Sequence, residues 1–208
     1  MRLTDFVRRK MHNTEGFILV GGRSSRMGRD KARLVLGEKS FVERISGALS
    51  RITTRTSLVG ASASYSLQIA SVPDIFAEWG ALGGLHAALA NCKADWCAVV
   101  ACDLPFVTAE LFSRLASLRE DFDAVVPIQE DGRQQPLCAL YRTDACLARS
   151  EELIKAGERR PLALLNAVRT RRAAFNELAD LPGAKLFFMN INTPEDYEQA
   201  KGGMRDEG

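Results

Sequence analysis

The stretch Leu19-Val20-Gly21-Gly22-Arg23-Ser24-Ser25-Arg26-Met27-Gly28-Arg29-Asp30-Lys31 follows directly on an apolar run, Gly16 to Val20, that reads as a β-strand. In open α/β sheets the carboxyl ends of the strands hold the ligand. A glycine-rich turn there lets backbone N–H groups approach phosphate oxygens with no Cβ in the way. Gly21 and Gly22 supply that freedom, and Arg26 and Lys31 add fixed positive charge. Together they could hold a triphosphate and stabilise a departing pyrophosphate. Two common loops are excluded by spacing. Lys31 neither follows Gly28 nor precedes a Ser or Thr, so this is no Walker loop, and the adjacent first glycines do not fit G-x-G-x-x-G. The plain alternative is a solvated basic turn.

Outward from this turn, β-rich runs alternate with helical patterns. Ser40 to Ile52 reads as a helix opened by a Ser40/Glu43 capping box, with Phe41, Ile45, Leu49 and Ile52 on one face. Strands are expected at 56–59 and 67–72, a helix at 83–91, a strand at Trp96 to Cys102, a helix at 109–118 and a strand at 123–128. Further on come a strand at 136–141, helices at 145–156 and 161–168, and a strand at Lys185 to Asn190. Thr193, Pro194 and Asp196 look like the cap and first turn of a last helix. The run at 96–100 is nearly all apolar, as a central parallel strand buried on both faces should be. The pattern therefore predicts an α/β fold of three layers, with a mostly parallel central sheet covered on both sides.

Composition narrows the function. The chain has 208 residues, 46% hydrophobic and 26% charged, which fits one sizeable core better than two. A formal charge of +2 lacks the broad excess that non-specific nucleic-acid binding needs. The surplus lies in residues 1–15, through Arg2, Arg8, Arg9 and Lys10 against Asp5 and Glu15, so positive charge elsewhere matters locally. No apolar run is long enough for a membrane span or a signal-peptide core, and a cytoplasmic location is expected. Residues 1–15 read as a flexible extension, 16–200 as a single domain and 201–208 as a frayed tail. Five cysteines without a C-x-x-C pair, and two histidines, argue against a zinc site or a disulfide framework.

Asp103, in Cys102-Asp103-Leu104-Pro105, falls just past the central strand, where a carboxylate could bind Mg²⁺ bridging phosphate oxygens. Alone, it could equally be a turn cap. Asp74 supplies a hydrogen-bond acceptor after the 67–72 strand. Gly80-Ala81-Leu82-Gly83-Gly84 reads as a loop allowing close approach of a base or ribose, or else as mere turn residues. His86 is expected on a helix surface or as a satisfied core histidine, and Cys102 as a buried thiol. Arg159 and Arg160 could receive an anionic phosphate or simply be solvated; Trp79 could stack on a ring or cover the core.

These segments, with Gly132-Arg133-Gln134-Gln135-Pro136-Leu137, Gly157-Glu158-Arg159-Arg160 and Asn190-Ile191-Asn192-Thr193-Pro194, stand in an order that resembles the molybdenum cofactor guanylyltransferases. That family has the nucleotidyltransferase fold, a Rossmann-like one, shared with sugar-nucleotide pyrophosphorylases. The resemblance covers residues 16 to 200. It implies transfer of GMP from GTP to molybdopterin or Mo-molybdopterin, with Mg²⁺ as cofactor. Leu19, Val20, Gly21, Gly22 and Lys31 would contact GTP, Asp74 would bind the nucleotide, and Asp103 would bind both nucleotide and Mg²⁺. Asn190 and Asn192 would lie on the molybdopterin side, and molybdoenzymes or their chaperones would receive the product. Departures are Val20 in place of the usual alanine, Ala81 in place of the usual proline, and Gly60 where some members have a nucleotide-contacting Asn. Gly60 has no side chain with which to make that contact. Adjacent Gly21 and Gly22 favour guanine over cytosine, since cytidylyltransferase relatives tend to have Ala-Ala-Gly there. The rivals are a related nucleotidyltransferase using CTP or a sugar phosphate, and a non-catalytic nucleotide-binding protein that delivers cofactor.

Overall fold

Every residue of β1 (Thr14–Leu19) is buried, because the strand has neighbours on both sides and helices on both faces. In this computed structural model, which describes residues 13–20, 34–60, 69–76 and 79–203, β1 pairs in parallel with β4 (Thr56–Val59) and with β6 (Trp96–Ala101). The second pairing runs from Thr14↔Trp96 to Leu19↔Ala101. Beyond β4 lies β5 (Ala70–Val72); beyond β6 come β8 (Cys138–Arg142), β7 (Ala124–Pro127) and β9 (Thr170–Ala173). The seven-stranded order is β5-β4-β1-β6-β8-β7-β9, and within it only the two pairings made by β8 are antiparallel. A short hairpin, β2 (Val35–Leu36) with β3 (Lys39–Ser40), stands apart.

Alternation along β1 sorts its side chains between two cores. Ile18 faces the layer of α1 (Phe41–Ser50) and α3 (Ala109–Ser117), with Ile45, Leu49, Leu111, Phe112 and Leu115. Phe17 and Leu19 face α2 (Gly80–Asn91), α4 (Thr143–Lys155) and α5 (Pro161–Ala167), with Leu82, Leu85, Cys146 and Leu164. The mostly parallel sheet between two helical layers is the architecture expected from the sequence. Among the described residues no helix is long and apolar enough to cross a membrane.

A third, smaller cluster joins distant parts of the chain. Leu34, Leu36, Phe41 and Ile191 are buried with Ala200 of α6 (Pro194–Gly203), and Phe106, Met189 and Tyr197 pack on them. The Tyr197 hydroxyl donates to the Val35 carbonyl. The last helix is thereby fixed against the hairpin that follows the glycine-rich segment.

Several boundaries differ from expectation, each for a physical reason. The first strand starts at Thr14, so Thr14 and Glu15, assigned above to a flexible extension, are buried in the sheet; Glu15 accepts from the Lys93 amide at 2.9 Å and from Arg55 at 3.1 Å. The last helix runs through Gly203, into the segment expected to fray. The strand expected at Lys185 to Asn190 is a 3₁₀ turn at Ala184–Leu186, entered through Gly183 at φ 77° and continued by a Met189 amide bond to the Leu186 carbonyl. A short apolar run fits a buried turn as well as a strand. Conversely, β9, Thr-Arg-Arg-Ala, is an edge strand whose only fully buried residue is Ala173, and its polar sequence concealed it.

α1 shows how local chemistry sets an element. The Ser40 hydroxyl accepts from the Glu43 amide at 3.2 Å, and the Glu43 carboxylate accepts from the Ser40 amide at 2.6 Å. This reciprocal cap satisfies two donors that the helix start leaves without intrahelical partners. Ser40→Ala is expected to lower unfolding free energy by about 1 kcal/mol. A urea midpoint equal to that of the parent protein would show the cap to be redundant.

Candidate active site

The parallel strands stay laddered past their last residues, which draws their exits to one edge. The Cys102 amide donates to the Leu19 carbonyl at 3.0 Å, that of Val20 to Val59 at 3.0 Å, and that of Gly60 to Val72 at 3.2 Å. Leu19 and Val20, the start of the glycine-rich segment, therefore lie beside Cys102 and Asp103. Gly21, Gly22, Arg26 and Lys31 lie outside the described residues.

Asp103 sits in a tight turn closed by the Leu104 amide on the Ala101 carbonyl at 3.2 Å. Its Oδ1 is buried. Its backbone carbonyl accepts from the Ile191 amide at 3.1 Å, so residues far apart in sequence meet here. Ile191 is fully buried in the third cluster, and Asn190, half-buried, and Asn192, exposed, flank it. One carboxylate oxygen of Asp196 accepts from the Asn192 and Thr193 amides, each at 2.9 Å, and the Thr193 hydroxyl accepts from the Asp196 amide at 3.1 Å. The expected N-cap at Thr193 is present, and it holds the backbone of the asparagine segment.

Asp74 opens a turn in which its Oδ1 accepts from the Phe76 amide at 3.2 Å. Burial raises its pKa above the ordinary carboxylate value, against the opposing effects of that hydrogen bond and of His86. A desolvated carboxylate gains from any ligand that brings hydrogen-bond donors. The segment Gly80 to Gly84, expected as a loop, forms the start of α2 instead. Glycine's low helix propensity is overridden by packing: Gly80 has φ 66°, and a Cβ at Gly83 would meet the Trp79 Cβ at 2.9 Å, the Phe76 carbonyl at 3.0 Å and Asp74 Oδ1 at 3.5 Å. Gly83 is thus the floor on which the Asp74 turn rests.

Trp79 makes both a core contact and a stack. Its indole N–H donates to the Glu158 carbonyl at 2.7 Å, and the Arg159 guanidinium lies 4.8 Å from its ring centroid. Arg160 binds the Glu158 carboxylate at 2.9 and 2.8 Å, and these bonds with the turn amides bring the carboxyl down to about 2. The segment 157–160 is therefore tied through Trp79 to the Asp74 turn, a link made through a backbone carbonyl that side-chain patterns do not reveal. Four cysteines are buried; Cys102 is only half-buried, contrary to expectation. His86 is neither on the surface nor satisfied: it is 3% exposed, and neither ring nitrogen has a hydrogen-bond partner among the described residues.

A family model described as a MobA-like NTP transferase domain matches residues 16–173. The chain belongs to this family. Over 193 residues it is 34% identical to the probable molybdenum cofactor guanylyltransferase of Pelotomaculum thermopropionicum, covering 92% of this chain and 93% of the relative. The crystal structure of molybdopterin-guanine dinucleotide biosynthesis protein A from Archaeoglobus fulgidus superposes with a TM-score of 0.78 at 26% identity, over 92% of this chain and 99% of that one. The 2-C-methyl-D-erythritol 4-phosphate cytidylyltransferase of Thermus thermophilus shares the fold, with a TM-score of 0.65 at 16% identity, over 91% and 98% of the two chains. In this MobA-like domain the match begins at Gly16 and takes in both strand exits and the Asp74 turn.

The glycine packing gives a paired test. Gly83→Ala is expected to cost about 1–3 kcal/mol through overpacking. Gly84→Ala, whose Cβ would lie 3.6 Å from a Leu19 methyl in ordinary contact, should be neutral or stabilising by up to about 1 kcal/mol. Equal urea stabilities of the two variants would contradict the assignment.

Proposed function

We propose that this protein transfers GMP from GTP to the terminal phosphate of molybdopterin, including the molybdenum-loaded form, and releases pyrophosphate. The observation that carries the reading is the hydrogen bond between the Asp103 carbonyl and the Ile191 amide. It joins the turn that carries Asp103, at the end of β6, to the segment that carries Asn190 and Asn192, so that a nucleotide and a second substrate would meet across one short junction. The names of the relatives support the same substrates.

An oxygen of the acceptor phosphate attacks the α-phosphorus of GTP; that P–O bond forms while the bond to the bridging α–β oxygen breaks, and the electron pair leaves on pyrophosphate. A phosphate monoester is already nucleophilic at neutral pH, so no general base is needed, and the protein's part is positioning and charge neutralisation. Leu19, Val20, Gly21 and Gly22 offer backbone contacts to the nucleotide, and Arg26 and Lys31 steady the departing phosphates. Asp74 accepts hydrogen bonds from the base or ribose, to which guanine brings an N1–H and an amino group. Asn190 and Asn192 take the pterin.

Asp103 is the residue that would hold Mg²⁺. Among the described residues no three His, Cys, Asp or Glu side chains converge on one point. A single buried carboxylate oxygen still suits Mg²⁺, which is commonly held by one or two carboxylates with substrate phosphates and water completing its shell. Bound there, the ion would neutralise charge developing on the phosphate oxygens. We place the protein in the cytoplasm as a single domain that takes in Thr14 and Glu15 and runs through Gly203, with molybdoenzymes or their chaperones as recipients of the product.

Asp103→Ala is expected to retain the parent's circular dichroism spectrum and to lower pyrophosphate release by at least about a hundredfold. Turnover at the parent rate would remove Asp103 from the mechanism.

A further inference from the structure

His86 is a buried polar side chain with no role in the reaction just described. It lies on the face of α2 that also carries the fully buried Leu82, Leu85 and Leu89. Its ring meets the Phe76 ring edge-on, with centroids 4.8 Å apart. Helical side chains lean toward the preceding turn. For His86 that turn is Gly83, where Asp74 Oδ1 comes within 3.5 Å of a Cβ position. The charged groups that act on the imidazole are Asp74, from the turn before α2, and Glu151 of α4, whose Oε1 is 3.6 Å from Nε2, within ion-pair reach but too long for a hydrogen bond. Glu151 is paired in turn with Lys155 at 3.8 Å.

We infer that His86 is a positioning residue for Asp74: its imidazole carries the polar contact that steadies the carboxylate when a nucleotide occupies the cleft. The inference rests on the reading of Asp74 as a nucleotide contact. Nε2 has only the long Glu151 contact and Nδ1 has no hydrogen bond among the described residues, which is costly for a buried imidazole, and a partner gained on ligand binding recovers the loss. Burial holds the imidazole neutral by lowering its pKa, while Glu151 and Asp74 pull the other way. On acidification a protonated ring draws the Asp74 carboxylate toward α2 and away from the ligand, so nucleotide affinity falls as His86 charges.

The test is the dissociation constant of GTP for the full chain, by calorimetry at about pH 7.5 and about pH 5.5, with thermal stability measured alongside. His86→Leu should weaken GTP binding at the higher pH by roughly three- to tenfold, in the lower part of the range for coupled neighbouring residues. His86→Gln, which stays neutral, should bind as the parent does at the higher pH and lose less affinity than the parent at the lower one. It decides the matter if the leucine variant does not fold. Asp74→Asn is the control. If it binds GTP as the parent does, the nucleotide role of Asp74 fails and the inference falls with it. If Asp74→Asn weakens binding while both His86 variants follow the parent at both pH values, the inference alone is overturned.

Discussion

Parallel pairing of β1 with β6 is the constraint on which the rest of the structure depends. Register from Thr14↔Trp96 to Leu19↔Ala101 makes the two strands end together, and the Cys102 amide bond to Leu19 extends the match by one residue. A one-residue slip would turn Ile18 toward the α2 layer and Phe17 and Leu19 toward the α1 layer, undoing both cores at once. With the register fixed, the chain leaving β1 and the Asp103 turn leaving β6 must share an edge. The position of the candidate site is therefore a consequence of packing in the middle of the sheet.

The second half of the site depends on the small third cluster. Burial of Ile191 among Leu34, Leu36 and Phe41 anchors a segment with no regular structure of its own, and the Asp103 carbonyl and the Asp196 cap fix its backbone. The asparagines are held because an apolar residue between them is buried. On the opposite side, α2 approaches closely enough for the Asp74 turn to rest on Gly83, with Trp79 tying that turn to the Glu158 carbonyl. Together the two attachments flank the edge at which β1 and β6 end.

Legibility in the sequence followed how local each signal was. The Ser40 cap, the alternation of strands and helices, and the two-face burial of 96–100 are short-range patterns, and the structure keeps them. The polar β9 was missed because an edge strand needs little apolar alternation, and the 185–190 run was misread because burial of Phe187 is compatible with a turn. Gly80 to Gly84 looked like a loop because propensity scales count glycine's entropy but not the close approach it permits. At the candidate site, the place of Asp103 just past a strand was legible, while Gly21 to Lys31 lie outside the described residues. The Ile191 bond to Asp103 was not, since it depends on contact between distant segments. A buried His86 was one of two expectations, on a face otherwise made of Leu82, Leu85 and Leu89, but its lack of hydrogen bonds was not legible.

One measurement bears on the central claim directly: incubation of the protein with Mg²⁺ and molybdopterin, each of four nucleoside triphosphates in turn, followed by identification of the pterin product and quantification of pyrophosphate. The account predicts a guanine dinucleotide from GTP, with one pyrophosphate released per product. A product formed preferentially from CTP, or GTP binding with no turnover in the presence of molybdopterin, would contradict it.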